Sequence, residues 1–125
     1  MGEDMRALIV DDSRSIRSYL RLLLEKQGLE CVEAGDGQVA LTVLQQRGGC
    51  DLALVDVNMP VMGGLECVKA MRRNPEAGSM KIIMVTSEAD HALIQTALDA
   101  GADEYLMKPF DATALIGKLR MIGIA

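Results

Sequence analysis

"LALVDVNMP", residues 52–60, is the stretch that decides the fold. Leu52, Ala53, Leu54 and Val55 follow one another without a polar break, and Asp56 comes directly after them. A strand with no polar face is covered on both sides, as the strands of a parallel sheet are. A carboxylate at its end is penalised by desolvation unless something compensates the charge.

Four further short runs recur at fairly regular intervals: Ala7 to Val10, Glu30 to Glu33, Lys81 to Val85 and Tyr105 to Met107. The first and fourth are apolar like the third, whereas the second alternates, which predicts an edge position. Stretches with helical spacing separate them, so the pattern is that of βαβ units and an α/β fold with a parallel sheet. The first helix is expected from about Ser13 to Gln27. Ile16, Leu20, Leu23 and Leu24 form its inward stripe, Arg14, Arg17, Arg21 and Glu25 lie opposite, and Gly28 closes it. The second helix starts near Asp36-Gly37 and stops by Gly48-Gly49. The third follows Gly63-Gly64 and ends before Pro75, which disfavours helix at Asn74. The fourth runs from about Glu88 to Asp99. Asp111 is the expected N-cap of the fifth, with Leu115, Ile116, Leu119 and Ile122 as its apolar face.

The 125 residues suffice for one domain, 1–125, and no linker, repeat or output domain is visible. A net charge of −5 argues against nucleic acid as the main partner. Two Tyr, one Phe and no Trp leave few platforms for base stacking. Cys31, Cys50 and Cys67 form no CxxC pair, which points to reduced thiols of a cytoplasmic protein and not to a disulfide frame or zinc site. The lone His91 reads as a solvated helix residue. The polar start, Met1 to Arg6, has no signal-peptide core. Arg6 stands where a myristoylation motif needs Ser or Thr, and no apolar run is long enough for a bilayer, so no membrane partner is expected.

In open parallel sheets, functional groups collect at the carboxyl ends of the strands. Here the first run ends in Asp11-Asp12-Ser13, the third in Asp56-Val57-Asn58, the fourth in Thr86-Ser87 and the fifth in Lys108-Pro109. Singly, several have simple explanations: Asp12 or Ser13 as a helix cap, Thr86 as another, Lys108-Pro109 as a turn. Asp56 has the weakest such explanation, because a buried acid without a partner is costly. Two carboxylates 4 Å apart repel by about 4 kcal/mol at an effective dielectric of 20. Three on one rim need a cation. Lys108 is one, and Mg²⁺, which binds through one or two carboxylates and keeps room for phosphate oxygens, is the ion that fits. A carboxylate beside a metal, a hydroxyl and an ammonium is what phosphoryl transfer to an acid requires, with Asp56 as the nucleophile that forms an acyl phosphate.

The stretches "VDDSRSIRSYLRLLLEKQG", "EAGDGQVAL", "VDVNMPVMGGLE", "IMVTSEA" and "AGADEYLMKPF", in this order over nearly the whole chain, resemble a response-regulator receiver domain of the single-domain, chemotaxis (CheY-like) type. The resemblance implies a flavodoxin-like (βα)5 three-layer sandwich with strand order 2-1-3-4-5. It implies that Asp56 accepts a phosphoryl group from the phosphohistidine of a histidine kinase or histidine phosphotransfer protein. Asp12 and Asp56 would hold Mg²⁺ directly with the backbone carbonyl of Asn58, and Asp11 largely through water. Thr86 and Lys108 would bind the phosphoryl group, Tyr105 would turn inward when Thr86 moves, and Asn58 and Glu88 would tune dephosphorylation. The surface of the fourth helix, fifth strand and fifth helix would be the output face for a downstream protein in two-component phosphorelay signalling. Such a protein is a switch that catalyses its own phosphotransfer and dephosphorylation, and not an enzyme in the usual sense. One departure is Gly63, where the family usually has Asp or Asn; it weakens the cap of the third helix and leaves the chemistry alone.

Other readings start from other residues. Gly35-Asp-Gly37-Gln-Val-Ala40 fits GxGxxA as in dinucleotide-binding proteins, but Asp36 would face a pyrophosphate and the chain lacks room for two mononucleotide halves. Asp36-Gly37 as a turn and helix cap is the better account. A Mg²⁺-dependent phosphatase with an Asp nucleophile would use a second Asp two residues on, where this chain has Asn58. The arginine face of the first helix reads by default as a solvated charge face. Under the receiver resemblance it lies beside the acidic rim, and Arg14 and Arg17 are then expected to help dock the phosphodonor protein.

Overall fold

The computed structural model describes residues 5–59, 61–74, 78–87 and 91–124. Pro75, the N-terminal residues through Asp4 and Glu88, with the expected start of the fourth helix, lie outside these. Strands and helices alternate along the chain: β1 (Arg6–Val10), α1 (Arg14–Lys26), β2 (Glu30–Ala34), α2 (Gly37–Arg47), β3 (Leu52–Asp56), α3 (Gly64–Arg73), β4 (Lys81–Thr86), α4 (His91–Asp99), β5 (Glu104–Met107) and α5 (Ala112–Met121). The strands form one parallel sheet in the order β2-β1-β3-β4-β5. The alternating second run is therefore an edge strand, as expected, and the flavodoxin-like order is present. Among the described residues no helix is long and apolar enough to cross a membrane.

Side chains of the central strands divide between two cores according to the two-residue period of a strand. Leu8, Val10, Ala53, Val55, Ile82 and Met84 point to one layer, where Ala40 and Leu44 of α2, Cys67, Val68 and Met71 of α3 and Ala97 of α4 cover them. Ala7, Ile9, Leu52, Leu54, Ile83 and Val85 point to the other, under Leu20 and Leu24 of α1 and Leu115 and Leu119 of α5. This double cover explains why residues 7–10 of β1, 52–55 of β3 and 82–85 of β4 include no polar residue. None of the three cysteines is in a disulfide; burial pushes Cys31 up to about 11 and Cys67 to about 12, which keeps both protonated.

Local signals set the element ends. Ser13 caps α1 through its hydroxyl, which accepts from the Ile16 N–H, and Asp111 caps α5 by accepting from Ala114 N–H at 2.8 Å. At the end of α1 the Gly28 N–H reaches the Glu25 carbonyl and the Leu29 N–H the Leu24 carbonyl, a Schellman closure that needs the left-handed φ of +89° at Gly28. Gly63 caps α3 with no side-chain bond, as its missing side chain predicts.

Candidate functional site

β3 runs one residue further than its apolar run. Asp56 is still in register with Val85, and the Val57 N–H donates to the Val85 carbonyl at 2.9 Å. Thr86 is likewise the last residue of β4. Asp11 lies one residue past β1, with its N–H donating to the Ala34 carbonyl at 3.1 Å, and the Lys108 N–H donates to the Thr86 carbonyl at 2.7 Å. The sheet thus delivers Asp11, Asp56, Thr86 and Lys108 to one rim. Asp11, Asp56 and Thr86 are the buried polar residues among those described, so buried polarity in this molecule is concentrated at that rim.

Lys108 bridges the acids: its Nζ lies 3.2 Å from Asp11 Oδ2 and 3.2 Å from Asp56 Oδ1. Asp11 Oδ1 accepts from the Ser13 N–H at 2.8 Å. Asp12 is exposed, and one carboxylate oxygen from each of Asp11, Asp12 and Asp56 falls within 4.8 Å of the others. Burial pushes the Asp56 carboxyl above the usual carboxylate range, the Asp11 charge adds to this, and Lys108 only partly offsets them. Burial alone would lower the Lys108 ammonium, but the two acids outweigh it and hold it above its ordinary value. Three carboxylates against one ammonium leave two negative charges in an oxygen-only set. A hard divalent cation such as Mg²⁺ suits that set, and the residues present fit it.

The other expected residues sit around this cluster. Asn58 is exposed in the loop after β3. Tyr105 is half-buried in β5 opposite Met84, and Lys118 Nζ of α5 lies 4.2 Å from the centre of its ring while bonding Glu104 at 3.1 Å. Glu88 is outside the described residues. His91 is the exposed first residue of α4. Asp36 caps α2, its Oδ1 accepting from Val39 N–H at 2.9 Å. A Cβ at Gly37 would lie 2.9 Å from the Met62 side chain, so that glycine makes room for packing against the β3–α3 loop.

One expectation is corrected. Arg17 does not stand on a solvated docking face beside Arg14. Its Nε bonds Glu33 Oε1 of β2 at 2.9 Å and its Nη1 bonds the Asp11 carbonyl at 2.6 Å, because a buried carbonyl just past the strand ladder needs a donor. Arg14 is exposed.

Two features of the site carry no plain sequence signal. Gly64 packs against the end of β3: a Cβ there would run into the Asp56 carbonyl oxygen and stand 2.7 Å from Val57 Cα, while its N–H donates to the Val57 carbonyl at 2.9 Å. The second glycine of "MGG" reads as a helix start, and only the fold shows the close approach. Beside Lys108 an apolar groove of about 330 Å³ is lined by Ile16, Tyr19, Ser87, Pro109 and Phe110, with the Tyr19 and Phe110 rings stacked 5.7 Å apart.

A family model described as the response regulator receiver domain matches residues 7–120. The transcriptional regulatory protein CpxR of Escherichia coli (strain K12) is 38% identical over 117 residues, covering 94% of this chain and 48% of that protein. The chain therefore spans about half the length of the curated relatives it matches. Among solved structures, the chemotaxis response regulator CheY4 of Vibrio cholerae superposes with a TM-score of 0.90 at 37% identity, covering 96% of this chain and 99% of that one. A CheY-like receiver domain from Methylobacillus flagellatus gives 0.86 at 31% identity, with 96% and 99% covered.

Proposed function

The chain belongs to the response regulator receiver domain family of two-component systems, and from that premise we propose that Asp56 is its phosphoacceptor. The observation that carries this reading is the Lys108 ammonium held 3.2 Å from Asp56 Oδ1 at a rim shared with two further acids. An oxygen of the Asp56 carboxylate attacks the phosphorus of a kinase or phosphotransfer-protein phosphohistidine. The O–P bond forms, the P–N bond breaks, and the imidazole leaves with the electron pair. Lys108 turns from neutralising Asp56 to pairing with the phosphoryl oxygens, and the Thr86 hydroxyl donates to one of them. Asp11, Asp12 and Asp56, with the backbone carbonyl of Asn58, would hold Mg²⁺, which would offset charge on the transferred group.

The switch follows from connectivity. The Lys108 N–H is bonded to the Thr86 carbonyl, and Lys108 directly follows β5, which carries Tyr105 three residues earlier. A pull on Thr86 and Lys108 therefore reaches Tyr105 and the surface of α4, β5 and α5, which we assign as the output face for a downstream protein. Asn58 and Glu88 are assigned to tuning hydrolysis of the acyl phosphate. The similarity to CheY4 over 99% of its length favours a chemotaxis-type output. The experiment is incubation with acetyl phosphate and Mg²⁺. Stoichiometric, Mg²⁺-dependent incorporation of one phosphoryl group that is labile to base and to hydroxylamine, as an acyl phosphate is, is expected. Multiple turnover of p-nitrophenyl phosphate without incorporation would favour a phosphatase instead.

A further inference from the structure

Asp11 is held at every one of its polar atoms. Its N–H goes to Ala34, its Oδ1 receives the Ser13 N–H, its Oδ2 receives Lys108, and its carbonyl receives Arg17 Nη1 at 2.6 Å. The carbonyl belongs to the planar peptide that joins Asp11 to Asp12. Whatever fixes that carbonyl also fixes the backbone from which the Asp12 carboxylate departs. Arg17 is itself fixed. Its Nε bonds Glu33 Oε1 at 2.9 Å, and the second oxygen of Glu33 accepts from Arg21 Nε at 2.7 Å. Only 18% of the Arg17 side chain is exposed. Burial pushes the Glu33 carboxyl up, but the bonds from Arg21 and Arg17 outweigh it and hold the group below its ordinary value, so it stays charged at neutral pH.

We propose that Arg17, braced by Glu33 of the edge strand, is a positioning residue for the cation site: it locks the Asp11–Asp12 peptide so that the two acids stand ready for the ion. This rests on the assignment of Asp11, Asp12 and Asp56 as the Mg²⁺ ligands. Residues that orient ligands through a second layer of hydrogen bonds alter metal affinity by about 10–100-fold when removed.

The sign of the effect separates this role from the obvious rivals. Arg17 carries a positive charge close to the acids, so if it acted by charge alone, removing it would tighten binding of a cation. If it served only the fold, its loss would lower the melting temperature and leave affinity alone. The positioning role requires weaker binding. The test is an amide NMR titration of the full chain with MgCl₂, alongside melting temperatures in EDTA. Arg17→Ala should raise the Mg²⁺ Kd about tenfold or more. Arg17→Lys keeps the charge but cannot bridge two acceptors, and should fall between the alanine variant and the unmodified chain. Glu33→Ala should weaken Mg²⁺ severalfold, and Arg17→Ala/Glu33→Ala should be no worse than Arg17→Ala, because the two act as one unit. Should Arg17→Ala not fold, Arg17→Lys and Glu33→Ala carry the test. Unchanged or tighter Mg²⁺ binding in the folded variants overturns the proposal. A failure of the unmodified chain to bind Mg²⁺ would instead overturn the ligand assignment beneath it.

Discussion

Lys108 Nζ lies 3.2 Å from Asp56 Oδ1, in a site where Asp56 is buried and the ammonium is the compensating charge. It makes an equal contact with Asp11. Removing the lysine therefore leaves two buried acids unpaired. Lys108→Met should lower stability at pH 7 by about 1–3 kcal/mol in urea unfolding without divalent ions, less than for a fully buried pair because the side chain is partly exposed. The folded ammonium titrates above its ordinary value, so its contribution is present below that value and is lost as pH rises through the raised one. The gap between the two proteins should also narrow near pH 4, as the acids take up protons.

Asp56→Asn should do the opposite. The Asp56 carboxyl titrates above its unfolded value, so the folded state favours the protonated acid, and wild-type stability falls as pH rises through that raised value. At pH 7 without divalent ions the variant should be more stable by on the order of 1 kcal/mol, a rise of about 4 °C in Tm. The advantage should shrink as pH falls toward 4. A Tm gain independent of pH would show that the charge is not the cause.

How far the sequence reached follows from the kind of signal each residue leaves. Periodicity located every strand and the inward stripe of α1, and the acids showed themselves because carboxylates after apolar runs are unusual. Asp56 and Thr86 sit inside their strands by one residue, because ladder pairing with β4 and β5 continues past the last apolar side chain. A helical wheel shows the charge of Arg17 and not the Asp11 carbonyl six residues back in sequence, so the inward bond of Arg17 is visible only in the fold. Gly64 was read as a helix start because its contact with Asp56 joins separate elements.

That contact makes its own prediction. Gly64→Ala puts a methyl group against the Asp56 carbonyl and Val57 Cα, both backbone, so the end of β3 must shift. The expected cost is about 1–3 kcal/mol, read by thermal or urea unfolding. Phosphorylation by acetyl phosphate should slow at the same time, since the displaced strand end carries the acceptor.

Gly63→Asp should have the reverse character. Gly63 already has the extended backbone of an N-cap, and its Cβ direction meets only the Val57 carbonyl, at 3.9 Å. A carboxylate there should bond the first turn of α3 and meet its dipole, a gain of about 0.5–1 kcal/mol. Tm should rise by a few degrees with no change in the rate of phosphorylation.

The central claim is that Asp56, of the three clustered acids, is the residue that takes the phosphoryl group. Borohydride reduces an aspartyl phosphate to homoserine and leaves free carboxylates untouched, so the residue is read directly by peptide mass spectrometry after treatment with acetyl phosphate and Mg²⁺. Homoserine at position 56 alone, absent when Mg²⁺ is omitted, is the predicted result; homoserine at Asp11 or Asp12, or at none of the three, would contradict it.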